Sequence, residues 1–281
     1  MRIVRRGDAN IATQSFGRET DPPILMIMGA TASMLGWPND LCTCLARKGF
    51  LVIRFDHRDT GKSTSVPLGQ AQYSVEDLAQ DALAVLDAYG LESAHLVGMS
   101  LGGLISQIIA VDQGRRVRSL ALIASEPLGW DGQPMPEISP ELMEHFGQLG
   151  DLDWEERDSV TGFLIEIDRL NSGHPEDFDT ARRGDQVREV VARADNIASM
   201  FNHASVDTSD DWTGAYKRVT ARTVILQGQL DPIVHPDNAA ALHDGIAGSR
   251  LVLLPESGHE LRDGDIQEIC NVIFANARSS S

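Results

Sequence analysis

Three residues of this sequence have the types and positions that an attack on an acyl group requires. Ser100 lies between two glycines in the motif VGMSLGG, Asp231 lies in QGQLDP and His259 lies in PESGHE. A serine hydroxyl is a weak nucleophile at neutral pH, so an imidazole must accept its proton during the attack. The imidazolium then needs an anion that orients and stabilises it. We therefore predict a catalytic triad of Ser100, His259 and Asp231.

The same chemistry requires hydrogen-bond donors for the oxyanion of the tetrahedral intermediate. We expect one donor from the backbone N–H of Leu101, the residue after the nucleophile. We expect the second from the loop that follows the apolar run 23–28, and we assign it to the backbone N–H of Ala30.

The residues around Ser100 favour a functional motif, although a G-x-S-x-G pattern alone also occurs by chance. The apolar run AHLV precedes the motif and a helix-like run follows it, which is the strand–turn–helix context of a nucleophile elbow. Gly98 and Gly102 fit this interpretation, because the tight turn leaves no room for side chains on either side of the serine.

Asp231 and His259 each follow a predicted strand, at 223–226 and 250–254. Catalytic groups in open parallel sheets gather at the carboxyl ends of the strands, so the triad should assemble at one edge. An aspartate before a proline also suits a simple turn. A second candidate acid is Glu126, which follows another predicted strand, but we prefer Asp231 because its strand directly precedes that of His259.

The elements that must position these residues alternate between strand and helix. Apolar runs predict strands at 3–4, 11–16, 23–28, 50–55, 94–97, 120–124, 223–226 and 250–254. Helical spacing predicts helices at 37–48, 74–89, 104–110, 237–245 and 265–277, of which 74–89 carries a near capping box at Ser74. This alternation predicts an α/β fold, a mostly parallel sheet with helices on both faces.

The alternation is interrupted for about ninety residues, which is too long for a loop. Acidic helical segments are predicted there at 141–149, 154–170 and 186–201. We therefore predict a core domain formed by residues 1–125 and 217–281, and an inserted helical cap formed by residues 126–216.

Composition and charge limit the classes of partner. The chain has 281 residues and a net charge of −17, with 41 acidic and 24 basic residues. Such a charge repels phosphate backbones and anionic lipids, so we expect neither a nucleic-acid nor a membrane partner. The remaining histidines show no metal-ligand spacing, and we predict no metal and no cofactor. The segment GKS at 61–63 lacks the upstream glycine of a phosphate-binding loop.

The N-terminus has no apolar segment of the signal-peptide type, and no run reaches the roughly 18 residues that span a bilayer. The chain has three cysteines, Cys42, Cys44 and Cys270, which we expect to form no disulfide framework. Cys42 and Cys44 face different directions on one predicted helix. These observations predict a reduced, cytoplasmic protein, present as a monomer or homodimer.

The sequence also resembles a known family. The segments MIMGATASMLGWPND, GFLVIRFDHRDTGKST and VLDAYGLESAHLVGMSLGG are similar to those of the aclacinomycin methylesterase group of α/β-hydrolases. Members of that group remove the methyl group from a carboxymethyl ester on a polyketide ring in anthracycline biosynthesis. The resemblance implies the α/β-hydrolase fold, the triad Ser100, Asp231 and His259, and the oxyanion donors Ala30 and Leu101. It covers residues 1–125 and 220–260 and does not extend to the cap.

Together these features predict a serine hydrolase that cleaves a carboxylic ester of a small molecule, including the methyl ester of an aromatic or polyketide-type acid. The same triad would also serve lactone, amide or carbon–carbon bond hydrolysis, or perhydrolysis. A different class of function, a ligand-binding receptor on a hydrolase fold, would show near-stoichiometric product instead of turnover.

Overall fold

A computed structural model describes residues 1–278, and its centre is one eight-stranded sheet. The strand order is β1-β2-β4-β3-β5-β6-β7-β8. The pairs β1–β2 and β2–β4 are antiparallel, and the five remaining pairs are parallel. The strands are β1 Arg2–Arg6, β2 Ala9–Phe16, β3 Pro23–Ile27, β4 Leu51–Phe55, β5 Ala94–Met99, β6 Val117–Ile123, β7 Thr223–Gly228 and β8 Arg250–Leu254. The helices are α1 Asn39–Arg47, α2 Val75–Ala88, α3 Leu101–Asp112, α4 Pro140–Gly147, α5 Arg157–Asn171, α6 Thr180–Arg193, α7 Pro236–Gly245 and α8 Ile266–Arg278.

Helices cover both faces of the sheet, because the central strands are apolar on both sides. In β3, Leu25 and Ile27 face the core shared with α2, α3 and α7, whereas Ile24 and Met26 face the core shared with α1 and α8. The predicted α/β fold class is therefore confirmed, and the alternation of strand and helix positions the carboxyl ends of β3 and β5–β8 along one edge.

The predicted elements are all present, with shifts at their ends. The helix predicted from Trp37 begins at Asn39, after Pro38. The capping box at Ser74 is confirmed, since Ser74 Oγ accepts from the Asp77 N–H and the Asp77 carboxylate accepts from the Ser74 N–H. The last insertion helix begins at Thr180, not at residue 186, and ends at Arg193. A separate 3₁₀ segment, Ala198–Ser205, follows it.

A helical insertion separates β6 from β7 and contains α4, α5 and α6. Its helices have an apolar cluster of their own, formed mainly by α5, α6 and the Ala198–Ser205 segment: Val160, Phe163, Leu164, Ile167, Val187, Val191, Met200 and Phe201. Leu128 and Tyr216, near the two ends of the insertion, pack into the main core instead. The insertion is thus tied to the sheet at its entry and exit.

The structure contradicts the expectation that the cysteines form no disulfide framework. Cys44 on α1 and Cys270 on α8 form a disulfide with a Cα–Cα distance of 6.4 Å. The two residues are 226 positions apart in sequence, but α1 and α8 pack side by side on the same face of the sheet. Cys42 is a buried free thiol, and its burial raises its pKa to about 11. The cysteines therefore do not support the prediction of a reduced compartment.

No helix among residues 1–278 is both long enough and apolar enough to cross a bilayer.

Candidate active site

Ser100 occupies a sharp turn between β5 and α3, with φ 50° and ψ −119°. The turn brings backbone so close to backbone that a Cβ on Gly98 would collide with the carbonyl of Gly102, and one on Gly102 with the carbonyl of Ile27. The glycines at these two positions are therefore required by the packing, as the motif predicted. The outcome is a serine held at the carboxyl edge of the central strand.

Backbone strain is concentrated at this edge. Among the described residues, the non-glycine positions with positive φ are Thr31, Asp59, Ser100 and Ala124. Thr31, Ser100 and Ala124 follow the strands β3, β5 and β6. Such conformations cost about 1–3 kcal/mol each and persist only where surrounding contacts enforce them, which is typical of functional sites.

The carboxyl ends of β5 to β8 are linked by backbone hydrogen bonds. Ser100 N–H donates to the Ile123 carbonyl at 2.9 Å, and Ala124 N–H donates to the Leu226 carbonyl at 2.9 Å. Gln229 N–H continues the series by donating to the Leu254 carbonyl at 3.0 Å. The loops that carry Ser100, Asp231 and His259 therefore all leave the same edge of the sheet.

Asp231 and His259 are directly hydrogen bonded, with His259 Nδ1 2.8 Å from Asp231 Oδ2. The Asp231 carboxylate is fully buried and also accepts from Gln227 Nε2 and from the backbone N–H groups of Ile233 and Val234. Asp231 thus has two roles: it stabilises the turn at Pro232 that the sequence suggested, and it is the hydrogen-bond partner of His259. The carboxylate can only accept, so His259 Nδ1 carries the proton and donates it in this hydrogen bond. The other ring nitrogen, Nε2, is then free to accept a proton.

Ser100 and His259 share this edge without a direct bond. Within residues 1–278, the Ser100 hydroxyl makes no hydrogen bond to the His259 ring. Catalytic hydrogen bonds in free enzymes are often long and shorten when substrate binds.

The loop after β3 lies against the serine. A Cβ on Gly29 would lie 3.3 Å from Ser100 Cβ and 3.9 Å from Ser100 Oγ. Ala30, the next residue, is therefore beside the nucleophile. Leu101 is the first residue of α3, and the N–H groups of the first helical turn have no acceptor within the helix. Both residues therefore lie next to Ser100, Ala30 through its neighbour Gly29 and Leu101 through the chain.

Glu126, the alternative acid, also lies near the histidine. Desolvation by the surrounding protein raises the pKa of its carboxyl, although the side chain keeps contact with solvent, and the neighbouring His259 opposes that rise. Within residues 1–278, the Glu126 carboxylate makes no hydrogen bond, whereas the Asp231 carboxylate accepts one from the His259 imidazole. The geometry therefore favours Asp231 as the partner of His259.

The helical insertion contacts the histidine loop. His259 N–H donates to the carbonyl of Asn171 at 2.8 Å, and Glu260 Oε1 accepts from Ser172 Oγ and from the Gly173 N–H. The loop that carries His259 is therefore held by the end of α5. No local sequence pattern indicates these contacts, since the partners are more than eighty positions apart.

In the described part of the chain, one group of side chains has potential metal-ligand atoms within 4.8 Å of one another: His174, Glu176 and Asp177. His174 Nε2 is also 2.9 Å from a carboxylate oxygen of Glu256. Exposed acidic groups around a histidine are common without an ion, so the cluster is explained as surface ion pairing.

Comparisons with known proteins identify the family to which the chain belongs. A family model described as "alpha/beta hydrolase fold" matches residues 22–262. Rhodomycin D methylesterase DauP of Streptomyces sp. (strain C5) is 30% identical over 298 aligned positions, covering 100% of this chain and 99% of the relative. A pimeloyl-[acyl-carrier protein] methyl ester esterase of Aeromonas hydrophila is 28% identical over 200 residues, covering 71% of this chain and 74% of the relative.

Among solved structures, an esterase from Exiguobacterium antarcticum superposes with a TM-score of 0.78 at 22% identity, covering 99% of both chains. This similarity shows the fold. The two sequence relatives are carboxylic ester hydrolases, which confirms the predicted enzyme class and the resemblance to methylesterases. The chain belongs to the α/β-hydrolase fold family.

Proposed function

We propose that the protein hydrolyses a carboxylic ester through an acyl-enzyme formed on Ser100. The observation that carries this proposal is the hydrogen bond between buried Asp231 and His259 beside a strained serine at the end of β5. A serine in this conformation, with an imidazole oriented by a carboxylate on the same edge, is suited to nucleophilic acyl transfer.

In this mechanism His259 accepts the Ser100 proton as Oγ attacks the ester carbonyl. Asp231 fixes the tautomer of the imidazole and stabilises the imidazolium that forms. The imidazolium then gives its proton to the alcohol oxygen as the tetrahedral intermediate collapses. A water molecule, deprotonated by the same imidazole, then attacks the acyl-enzyme. The bond between the acyl carbon and Ser100 Oγ breaks, Oγ takes the proton back from His259, and the acid is released.

The backbone N–H groups of Ala30 and Leu101 stabilise the oxyanion in both steps. Donors of this kind act on charge that develops only in the transition state, and removal of one typically costs a factor of about 10²–10³ in rate. The adjacency of Gly29 to Ser100 and the position of Leu101 at the start of α3 support this assignment.

The substrate is a small-molecule ester, and a methyl ester of an aromatic or polyketide-type acid is the proposed form. The support is the 30% identity over the full chain to rhodomycin D methylesterases of two Streptomyces strains. Residues 126–216 serve as a cap over the acyl group, attached to a core of residues 1–125 and 217–281. The contact between Asn171 and the His259 loop supports that role, because it joins the insertion to the catalytic edge.

A panel of methyl, ethyl and p-nitrophenyl esters tests this proposal by the alcohol or phenol that is released. The wild-type enzyme should turn over repeatedly and Ser100→Ala should lose about 10⁴-fold or more in kcat. Near wild-type turnover by Ser100→Ala would reject the mechanism. Release limited to one equivalent per protein would favour a receptor, and preference for lactones or amides would reassign the substrate class.

A further inference from the structure

The loop formed by residues 28–31, MGAT, carries the proposed oxyanion donor and has no regular secondary structure. We call it the oxyanion loop. The position of the Ala30 N–H therefore depends on the contacts that hold the peptide units on either side of it. Two buried histidines provide such contacts.

His57 holds the first end of the oxyanion loop. Its Nε2 lies 2.9 Å from the carbonyl oxygen of Met28, and because a carbonyl only accepts, the ring donates. The ring is completely buried, and Nδ1 has no hydrogen-bond partner within residues 1–278. Burial lowers the pKa of His57 to about 4, so the ring is neutral at neutral pH.

His203 holds the other end. The Thr31 N–H donates to His203 Nδ1 at 3.1 Å, and His203 Nε2 lies 2.8 Å from the Arg58 carbonyl, to which it donates. An amide that only donates and a carbonyl that only accepts fix the neutral tautomer with its proton on Nε2. Burial, and then the proximity of His57, lower the pKa of His203 to about 4, against the opposing effect of the Arg58 carbonyl.

These two bonds flank the peptide unit that carries the Ala30 N–H. His57 binds the Met28–Gly29 unit through its carbonyl, and His203 binds the Ala30–Thr31 unit through its N–H. Peptide units are planar, so one unit alone, Gly29–Ala30, lies between two fixed planes. The positive φ of Thr31, 57°, is a strained conformation that needs such an external contact.

His203 is itself well anchored, although it belongs to the helical insertion. Its 3₁₀ segment, Ala198–Ser205, is bonded to the turn after β4, where Ser199 Oγ donates to the Asp59 carbonyl at 2.9 Å. Asn202 Nδ2 donates to Asp59 Oδ2 at 3.0 Å. The rings of His203 and His57 meet edge to face, with centroids 5.8 Å apart. The insertion thus delivers a rigid acceptor to the oxyanion loop.

We propose that His203 is a positioning residue that, opposite His57, orients the Ala30 N–H toward the oxyanion, so that part of the catalytic geometry is supplied by the helical insertion. This inference rests on the proposed function, in which Ala30 is an oxyanion donor. It adds that the insertion contributes to kcat as well as to substrate selection.

The test compares His203→Ala, His203→Asn and His203→Gln on p-nitrophenyl acetate. His203→Ala should lower kcat about 10- to 100-fold and change KM less than threefold. The reason is that a small misplacement of a hydrogen-bond donor reduces the stabilisation of the transition state more than that of the ground state. Asn carries an acceptor oxygen on Cγ, where Nδ1 is attached, and should recover most of kcat. Gln cannot place an acceptor there and should behave like Ala. The inhibition constant of a trifluoromethyl ketone, whose adduct with Ser100 has an oxyanion, should rise in parallel with the loss in kcat.

His95→Ala is the matched control. His95 is also buried with its pKa lowered to about 4, but its Nδ1 bonds Ser119 Oγ. It pairs with Ile24 near the start of β3, whereas the oxyanion loop follows the end of that strand. It should lose thermal stability and keep kcat. Equal losses of kcat in His203→Ala and His95→Ala would overturn the inference. If His203→Ala does not fold, equal kcat values for His203→Asn and His203→Gln would overturn it.

Ser100→Ala separates this inference from the function beneath it. If Ser100→Ala is inactive and His203→Ala keeps wild-type kcat, the positioning role is wrong and the esterase mechanism stands. If Ser100→Ala retains activity, the proposed function itself is wrong, and the inference fails with it.

Discussion

At the level of single residues, the candidate site depends on the backbone conformation of Ser100 and on the hydrogen bonds that orient Asp231. Ser100 has a φ of 50°, and Gly98 and Gly102 allow the close backbone contacts that hold it there. The carboxylate of Asp231 accepts hydrogen bonds from two backbone amides, a glutamine and His259, so its orientation is fixed before substrate arrives. A carboxylate held in this way would keep the proposed base, His259, in position without reorganisation during the reaction.

The choice between two acids gives the first prediction. Asp231→Asn should lower kcat by about 10⁴, because the amide favours the wrong tautomer of His259. Glu126→Gln should change kcat less than tenfold, because its carboxylate lies near the histidine without bonding it. Steady-state rates on one aryl ester, with melting curves as a control for folding, measure both. Full activity in Asp231→Asn together with loss in Glu126→Gln would reverse the assignment.

Residue types and spacing selected Ser100, Asp231 and His259 as the candidate triad, because each follows a strand at a motif that leaves little choice of chemistry. They could not identify His203 as a partner of the oxyanion loop. Its bond to Thr31 joins positions 172 residues apart, and no local pattern distinguishes it from the other histidines. Contacts of this kind arise from how the insertion folds back on the turn after β4, which depends on tertiary packing.

At the level of secondary-structure elements, the α/β class and the mostly parallel sheet could be predicted from alternating apolar strands and helices, but the contacts between helices could not. Cys44 and Cys270 meet because α1 and α8 cover the same face of the sheet. That neighbourhood depends on the topology of the sheet, and it cannot be deduced from three cysteines whose spacing fits no framework. The helix predicted from residue 186 also began earlier, at Thr180, where Asp179 caps it by accepting from the Arg182 N–H.

The disulfide gives the second prediction. Under oxidising conditions the unfolded protein should expose one titratable thiol, that of Cys42, and three after reduction. Reduction should lower the free energy of unfolding by about 2–4 kcal/mol, because the bond closes a long loop in the unfolded chain. The double variant Cys44→Ser/Cys270→Ser is the control, and reductant should not change its melting temperature. Three free thiols in the oxidised protein would show that the bond does not form.

At the scale of the whole molecule, the three histidines with strongly lowered pKa values are all buried, His57, His95 and His203. Burial is the main cause in each case, and it lowers the pKa from 6.5 to about 4. The unfolded chain therefore binds more protons than the folded chain between these values. The contribution of these three histidines to the free energy of unfolding is fully present above about pH 6.5, and it is lost as the pH falls toward 4.

The third prediction follows from that sign. The free energy of unfolding by urea should fall between pH 7 and pH 4.5, by up to about 1.4 kcal/mol per pH unit for each buried histidine. His174 is partly exposed, and hydrogen bonds to Glu176 and Glu256 raise its pKa, so it acts weakly in the opposite direction. His95→Asn is the control, since it should reduce the slope by one histidine's share. A stability that stays constant down to pH 5 would contradict the burial of these rings as neutral groups.

The helical insertion contacts two parts of the proposed catalytic apparatus, the loop of His259 and the oxyanion loop. Asn171, at the end of α5, bonds the backbone of His259, and His203 bonds the backbone of Thr31. The sequence located the insertion by the break in alternation, but these attachments required the folded structure. They give the proposed cap a role in geometry as well as in substrate choice.

Covalent labelling of the nucleophile provides a direct test of the mechanism proposed for Ser100. The enzyme would be treated with a fluorophosphonate ester, digested, and the modified peptide located by mass spectrometry. We expect one adduct, on the Ser100 hydroxyl, with loss of esterase activity in proportion to labelling and much slower labelling of His259→Ala. An adduct on another residue, or full esterase activity in protein that is completely labelled at Ser100, would contradict it.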